Sequence, residues 1–381
     1  MGDKQNNTKT QSSCRIWSSR SRQKAAALMT AALILGLTPG TASAASTGPG
    51  EVSGTEVQQS DQSGEALTEA GQAESEDTEQ SAEALAAAAA AWEAERAGLS
   101  LSRSFAGTVK PWLFYKDTWA ERQQLFHRGK QLWWYKKMIN EKLYTPLKNA
   151  GIRLVIMVVP DKQTLYGEDY LPEELKAPLR SYDRVDQFME YMEKEFPQLE
   201  IYYPKDIMLK AKENGLPLYY ASDSHWNFVG AGVCAEGLMN FLGEEYALSE
   251  KPQISYRLTG ETVQGDLQQF EGLDESWNRV EYELVGAYPA EKVYSLPDAT
   301  TGEEIYAEYR SLDERALPKK LYFAGDSYRW YIQYILNGQF TESRFVQRYV
   351  FSATDAIKHQ PDVFVYELPE RFLPQFASLI D

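Results

Sequence analysis

Two short segments of this 381-residue chain carry the residue types of an acyl-transfer site. The first, Ser-Asp-Ser-His-Trp-Asn at 222–227, sets Asp223 two positions before His225. The second, Phe-Ala-Gly-Asp-Ser-Tyr at 323–328, is an apolar run that leads through a Gly to Ser327. Acyl transfer through a covalent intermediate requires a nucleophile, a base and a carboxylate that orients the base. The chain has three His, so the choice of base is narrow.

Ser327 is the candidate nucleophile. A strand that runs into Gly325-Asp326-Ser327 and then into a helix places this Ser at the carboxyl end of the strand, where open α/β sheets hold their sites. The first N–H groups of the helix are unpaired there and can stabilise an oxyanion. The alternative is that Asp326 or Ser327 serves only as the helix N-cap.

Asp223 and His225 are the candidate orienter and base. In an extended segment, positions i and i+2 face the same side, so the carboxylate can fix the tautomer of the imidazole. Two alternatives stay open from the residues alone: a structural His beside a capping Asp, and a metal site to which the pair donates two ligands. His127 and His359 lack metal-ligand spacing, and we predict no metal.

The elements around these segments alternate between helices and apolar strands. Residues 152–159 form a near-continuous apolar run, which is typical of a central parallel strand covered on both faces. Lys162 follows that strand at its carboxyl end, near the expected site; a solvated loop Lys is the alternative. Further strands are predicted at 200–203, 321–324, 344–351 and 362–368, and helices at 119–149, 182–196, 205–214, 227–242, 328–337 and 369–379. The alternation predicts a three-layer α/β fold with a parallel sheet.

The ends of the chain predict three segments. Residues 1–44 carry six Lys or Arg, an apolar run at 25–37 and Ala-Ser-Ala at 42–44, which predicts a secretory signal peptide. The apolar run is shorter than the roughly 20 residues of a transmembrane helix, so cleavage is favoured over an uncleaved anchor. Residues 45–104 predict a disordered acidic tether with an Ala-rich helix, and 105–381 the folded domain, with an irregular β-rich insertion at 251–318.

Charge and cysteine content limit the partners and the compartment. The net charge is −16, which argues against nucleic acid and anionic surfaces as partners. Cys14 would leave with the signal peptide, so Cys234 would remain alone and no intramolecular disulfide is expected. The mature protein is predicted to be secreted or held at the cell surface.

The motifs together resemble the SGNH-hydrolase-like proteins of the alginate O-acetylation (AlgJ/AlgX) type and the related DHHW proteins. The matching segments occur in the order of that family and span about 110 to 375. They are Trp112-Leu113-Phe114, Val159-Pro160-Asp161-Lys162, Asp223-Ser224-His225-Trp226, Gly265-Asp266-Leu267, Gly325-Asp326-Ser327-Tyr328 and Arg348-Tyr349.

The resemblance implies an SGNH-hydrolase-like (flavodoxin-like) domain with Ser327 as nucleophile, His225 as base and Asp223 as its orienter. It implies O-acetyl transfer onto hydroxyls of an exported polysaccharide, with a polysaccharide acetylesterase or a non-catalytic polysaccharide-binding protein as the alternatives. No cofactor is expected. A membrane O-acyltransferase would supply the acetyl donor, which implies membrane proximity. The candidates for substrate contact are Lys162, Tyr328, Arg348 and Arg371.

Overall fold

The computed structural model describes residues 84–118, 130–176 and 182–379. The fold from Ala89 onward belongs to one compact unit; of a second unit, Trp17–Ala88, only residues 84–88 are described, and they are helical. The strands are β1 (Ser104–Ala106), β2 (Leu113–Tyr115), β3 (Arg153–Val159), β4 (Glu200–Tyr202), β5 (Ser255–Val263), β6 (Arg279–Val285), β7 (Ala290–Pro297), β8 (Glu304–Ser311), β9 (Leu317–Gly325), β10 (Phe340–Gln347) and β11 (Val363–Pro369).

The helices frame these strands. They are α1 (84–98), α2 (Gln131–Ile139 and Thr145–Asn149, joined by the π-helical turn Asn140–Tyr144), α3 (Lys162–Tyr170), α4 (Glu173–Lys176), α5 (Arg184–Glu195), α6 (Lys205–Glu213), α7 (Phe228–Leu242), α8 (Asp266–Glu271), α9 (Arg329–Leu336) and α10 (Ala353–His359). Short 3₁₀ segments lie at Glu244–Tyr246, Glu275–Trp277 and Glu370–Ser378.

A seven-stranded sheet in the order β4-β3-β11-β9-β10-β8-β7 forms the centre of the domain. The first five strands are parallel to their neighbours, and β8 and β7 continue the sheet in antiparallel pairing. Every residue of β3 after Arg153 is buried, as its continuous apolar sequence predicts.

The sheet has a hydrophobic core on each face, which makes the fold three-layered. Along β3, Val155, Met157 and Val159 belong to one core, and the alternate residues Leu154, Ile156 and Val158 to the other. Helices α6, α7 and α9 pack in the first core; α2, α5, α10 and the C-terminal 3₁₀ segment pack in the second. The predicted α/β class is thereby confirmed.

Several details differ from the sequence-based expectations. The stretch 251–318 is β-rich, but β7 and β8 join the central sheet, and only β5 and β6 form a separate two-stranded sheet. The strand expected at 344–351 ends at Gln347, because residues 348–350 form a turn. The helix expected at 369–379 is a 3₁₀ segment that contains Pro374, which has no N–H to donate.

The signal peptide and most of the tether fall outside the described residues and stay predictions, as do the parts of the helix expected at 119–149 that lie before residue 130. Among the helices that the structure describes, none combines the length and the apolar character needed to cross a bilayer.

Candidate active site

The nucleophile candidate lies where the central strand β9 meets α9. Gly325 ends β9, and α9 begins at Arg329. The Asp223–His225 loop leads into α7, which Asn227 caps by accepting hydrogen bonds from the N–H groups of Val229 and Gly230. The loop and the strand end therefore meet at the carboxyl edge of the parallel sheet, where such folds hold their sites.

The structure brings the three predicted residues into one hydrogen-bonded row. His225 Nε2 lies 2.6 Å from Ser327 Oγ, and His225 Nδ1 lies 2.7 Å from Asp223 Oδ1. Asp223 Oδ1 also accepts the backbone N–H of His225 at 2.9 Å, which fixes the carboxylate against the ring. Asp223 and His225 are 5% and 8% exposed, so little water competes for these bonds.

The two ionisable side chains of this row, Asp223 and His225, have shifted pKa values. Burial disfavours protonated His225, but the Asp223 carboxylate outweighs that effect and raises the pKa of His225 above its ordinary value. Burial works to raise the pKa of Asp223, yet Arg279 and His225 together hold it well below its usual range. Asp223 is therefore ionised and able to stabilise an imidazolium.

A tight turn presents Ser327. A Cβ added to Gly325 would lie 2.4 Å from Glu367 Oε2, so any larger residue at this position would have to displace the buried Glu367 carboxylate. Asp326 accepts the N–H of Tyr328 at 2.9 Å through its side chain, and its own N–H donates to Glu367 at 3.0 Å. Among the described residues, none accepts a hydrogen bond from the Ser327 N–H, which stays available for an oxyanion.

Two of the residues predicted to contact substrate, Lys162 and Tyr328, hold the loop that carries Asp223 and His225, which we call the base loop. Lys162 is 2% exposed, and its Nζ donates to the carbonyls of Tyr220, Ala221 and Asp223 at 3.2, 2.9 and 2.6 Å. Three bonds use all the donors of an ammonium group. Tyr328 is fully buried, and its hydroxyl donates to the Ser224 carbonyl at 2.6 Å. Their donors are thus engaged by protein, because both side chains point into the loop rather than into solvent.

The two predicted arginines lie beside this arrangement with partners of their own. Arg371 pairs with the Asp161 carboxylate, and its Nη1 lies 3.4 Å from the Tyr328 hydroxyl. Arg348 donates to the Gln375 side chain and, through its backbone N–H, to Gly325 O at 2.7 Å. Both support the nucleophile turn, and their role in substrate contact stays a prediction.

Two further residues complete the site and were not singled out as site residues from the sequence. Asp266, at the start of α8, accepts hydrogen bonds from the N–H and hydroxyl of Ser224, and its Oδ2 lies 3.5 Å from His225 Nδ1. Arg279, at the start of β6, places Nε 3.5 Å from Asp223 Oδ2. The Gly265-Asp266-Leu267 motif is a sequence signal for the first; nothing in the irregular stretch around Arg279 marks the second.

Asp266 also bears on the metal alternative. Asp223, His225 and Asp266 each offer a ligand atom, and these atoms lie within 4.8 Å of one another. However, the separation of 2.7 Å between His225 Nδ1 and Asp223 Oδ1 is that of a direct hydrogen bond, which a metal bound to both would have to replace. The geometry favours a hydrogen-bonded triad, and chelation tests the point.

Comparisons with known proteins identify the family to which this domain is similar. Residues 107–370 match the family model of the SGNH hydrolase-like domain of the acetyltransferase AlgX. A probable alginate O-acetylase AlgJ from Pseudomonas putida is 27% identical over 256 residues, which cover 61% of this chain and 62% of that protein. The chain thus spans about three fifths of the length of the curated relatives it matches.

Two solved structures share the fold. A DHHW family protein from Eubacterium siraeum has a TM-score of 0.51 and 13% identity, covering 74% of this chain and 96% of its own. Bacillus cereus PatB1 with a sulfonyl adduct has a TM-score of 0.52 and 13% identity, covering 73% of this chain and 99% of its own. The family model covers well over half of the sequence, and the chain belongs to the AlgX-type SGNH hydrolase-like family.

Proposed function

We propose that this protein is an O-acetyltransferase that acts outside the cytoplasm on hydroxyl groups of an exported polysaccharide, through an acetyl-Ser327 intermediate. The observation that carries the proposal is the row Ser327–His225–Asp223, with Ser327 Oγ 2.6 Å from the imidazole. Membership of an acetyltransferase family supports acetyl as the group that is transferred.

In the first half-reaction, Ser327 Oγ attacks the carbonyl carbon of the acetyl donor while His225 Nε2 takes the hydroxyl proton. Asp223 stabilises the imidazolium that forms, and the Ser327 N–H faces the developing oxyanion. The donor's leaving group departs with the proton from His225. Ser327 then carries the acetyl group as an ester, and His225 is again neutral.

In the second half-reaction, His225 takes the proton of an incoming sugar hydroxyl, whose oxygen attacks the acetyl carbon. The ester bond to Ser327 breaks, and Ser327 Oγ recovers a proton from His225. If water is the incoming group, the same steps release acetate, which is the acetylesterase alternative. The difference between the two outcomes lies in which acceptor reaches the acyl-enzyme first.

The proposed compartment and partners follow from the N-terminus and the chemistry. The predicted signal peptide at 1–44 would export the chain, and an acetyl donor would then have to be delivered across a membrane by an O-acyltransferase. The alginate O-acetylase name of the curated relatives supports a polysaccharide as acceptor. A non-catalytic binding protein is the competing class, and the hydrogen-bonded triad argues against it.

The test uses the purified chain, p-nitrophenyl acetate as an activated donor, and neutral and uronic-acid oligosaccharides as acceptors. We expect release of p-nitrophenol by the wild type, acetylated oligosaccharide when an acceptor is present, and neither with Ser327→Ala. Acetate as the sole product under all conditions would support the esterase. Equal turnover by the wild type and Ser327→Ala would refute both enzymatic functions.

A further inference from the structure

The base of the proposed reaction faces two carboxylates rather than one. Asp223 Oδ1 lies 2.7 Å and Asp266 Oδ2 lies 3.5 Å from the same nitrogen of His225. The two carboxylates are also linked, because the Asp266 N–H donates to Asp223 Oδ2 at 3.1 Å. Two adjacent negative charges favour protonation of the group between them, and a protonated His225 cannot act as a base.

Arg279 forms an ion pair with one of these two carboxylates. Arg279 Nε lies 3.5 Å from Asp223 Oδ2, and within the described ranges it is the one Lys or Arg that forms an ion pair with either carboxylate. Arg279 Nε is buried without a hydrogen-bond partner among the described residues, so its interaction with Asp223 is electrostatic. The side chain is 13% exposed, which limits screening by water.

The guanidinium is fixed in place by groups that do not belong to the triad. Its Cζ lies 3.8 Å from the centroid of the Tyr220 ring, and its Nη1 donates to the Tyr331 hydroxyl at 3.0 Å. Its Nη2 lies 3.4 Å from the Glu281 carboxylate. Tyr331 lies on α9, one turn beyond Ser327, so Arg279 connects β6 to the nucleophile helix.

We propose that Arg279 is a positioning residue of this site: it offsets the second carboxylate, Asp266, and so limits the protonation of His225 and keeps Asp223 ionised. Because His225 is a base only if the chain is an acyl-transfer enzyme, this proposal rests on the proposed function. The proposal predicts that Arg279 lowers the proton affinity of the interacting groups Asp223, His225 and Asp266, and this effect can be measured without turnover.

Other charged groups face His225 and define the background for the test. Lys162 donates to the Asp223 carbonyl, and its charge also interacts with the Asp223 and Asp266 carboxylates, while burial lowers its own pKa to about 7. Arg371 lies near the Tyr328 hydroxyl and lowers the pKa of His225, although Asp161 neutralises much of its charge. Tyr328 packs against the imidazole with ring centroids 5.0 Å apart. None of these groups contacts the Asp223 or Asp266 carboxylate by an ion pair, so Arg279 is the direct counter-charge.

The first experiment measures kcat/KM for p-nitrophenyl acetate against pH in the wild type, Arg279→Gln and Arg279→Lys. Loss of a cation within about 4 Å of the cluster should raise its apparent pKa by about one unit, since charges at such distances shift pKa values by about 1–3 units. The acidic limb of Arg279→Gln should therefore move up by about one pH unit, with about a 10-fold loss below the limb and little loss above it. Arg279→Lys keeps a cation at this position, so its pH profile should lie close to that of the wild type.

Arg257 supplies a matched control on the neighbouring strand. It pairs with Glu283, its side chain is 73% exposed, and among the described contacts none joins it to Asp223, His225 or Asp266. Arg257→Gln should leave the pH profile unchanged. A purely structural role for Arg279 would lower activity by the same factor at every pH, and that result would overturn the proposal.

A second variant and a second readout cover the case in which Arg279→Gln does not fold. Asp266→Asn keeps an oxygen that can accept from Ser224 and removes the extra negative charge, so the acidic limb should move down; no movement would contradict the proposal. Imidazole NMR titration of His225, assigned by loss of its signal in His225→Gln, should show the same directions. If the NMR shifts appear without any turnover, the electrostatic proposal stands and the proposed function fails.

Discussion

Replacement of Lys162 by Met tests whether this residue holds the base loop or contacts substrate. The substitution keeps an unbranched apolar stem but removes a buried ammonium that donates to three carbonyls at 2.6–3.2 Å. Each buried carbonyl left without a donor costs about 1–3 kcal/mol, and the relief of no longer desolvating an ammonium offsets part of that. We expect the free energy of unfolding to fall by about 2–4 kcal/mol.

Catalysis should suffer as well, because the freed loop carries both Asp223 and His225. A displacement of about 1 Å in a catalytic group costs about 10²-fold in rate, so kcat for p-nitrophenyl acetate should fall by about that factor while KM changes little. Denaturant unfolding gives the stability, and initial rates give the kinetic constants.

Lys212 provides the control for this prediction. It also donates to a backbone carbonyl, that of Leu165 at 2.7 Å, and pairs with Asp169, but its side chain is 20% exposed and none of its described contacts is with Ser327, His225 or Asp223. Lys212→Met should lose about 1 kcal/mol or less and keep its activity. A Lys162→Met protein with wild-type stability and a raised KM alone would refute the loop-holding role and favour substrate contact.

Three further predictions concern the triad and its turn. Asp223→Asn presents an N–H to His225 Nδ1 and favours the wrong tautomer, so kcat/KM should fall by about 10²–10⁴-fold with little change in thermal unfolding; a fall of less than about threefold would speak against the orienter role. Gly325→Ala places a Cβ 2.4 Å from Glu367 Oε2 and should cost about 1–3 kcal/mol in denaturant unfolding, whereas Gly98→Ala, with nothing within 4 Å, should be neutral; equal losses in both would refute the steric argument. Incubation with EDTA should leave esterase activity intact, and a loss that a divalent cation restores would establish the metal alternative.

The sequence predicts the central sheet because its central strands are apolar along most of their length. A continuous apolar run such as that of β3 can be buried only between two layers, and the order of helices and strands then fixes the α/β class. The strand predicted at 344–351 extends past the end of β10, and the helix predicted at 369–379 is a 3₁₀ segment, because turn residues and a Pro-containing 3₁₀ segment carry apolar side chains like those of regular elements.

The sequence also singles out Ser327, His225 and Asp223, because their types and order match a known constellation, and the structure places the three in one hydrogen-bonded row. It does not predict which cations are engaged. Lys162 is as plausible a surface residue as a buried one until its three carbonyl partners are placed around it. Arg279 reaches Asp223 from a strand more than fifty residues later, and no local pattern encodes such a long-range pairing.

The most direct test of the proposed chemistry is the identity of the residue that becomes acetylated. The wild type should be quenched soon after mixing with p-nitrophenyl acetate, digested, and mapped by mass spectrometry. We expect one added acetyl group on the peptide that contains Ser327, fragment ions that place it on that residue, and no such label in Ser327→Ala. Turnover without a label on Ser327, or labelling of another residue that Ser327→Ala retains, would contradict the acetyl-Ser mechanism.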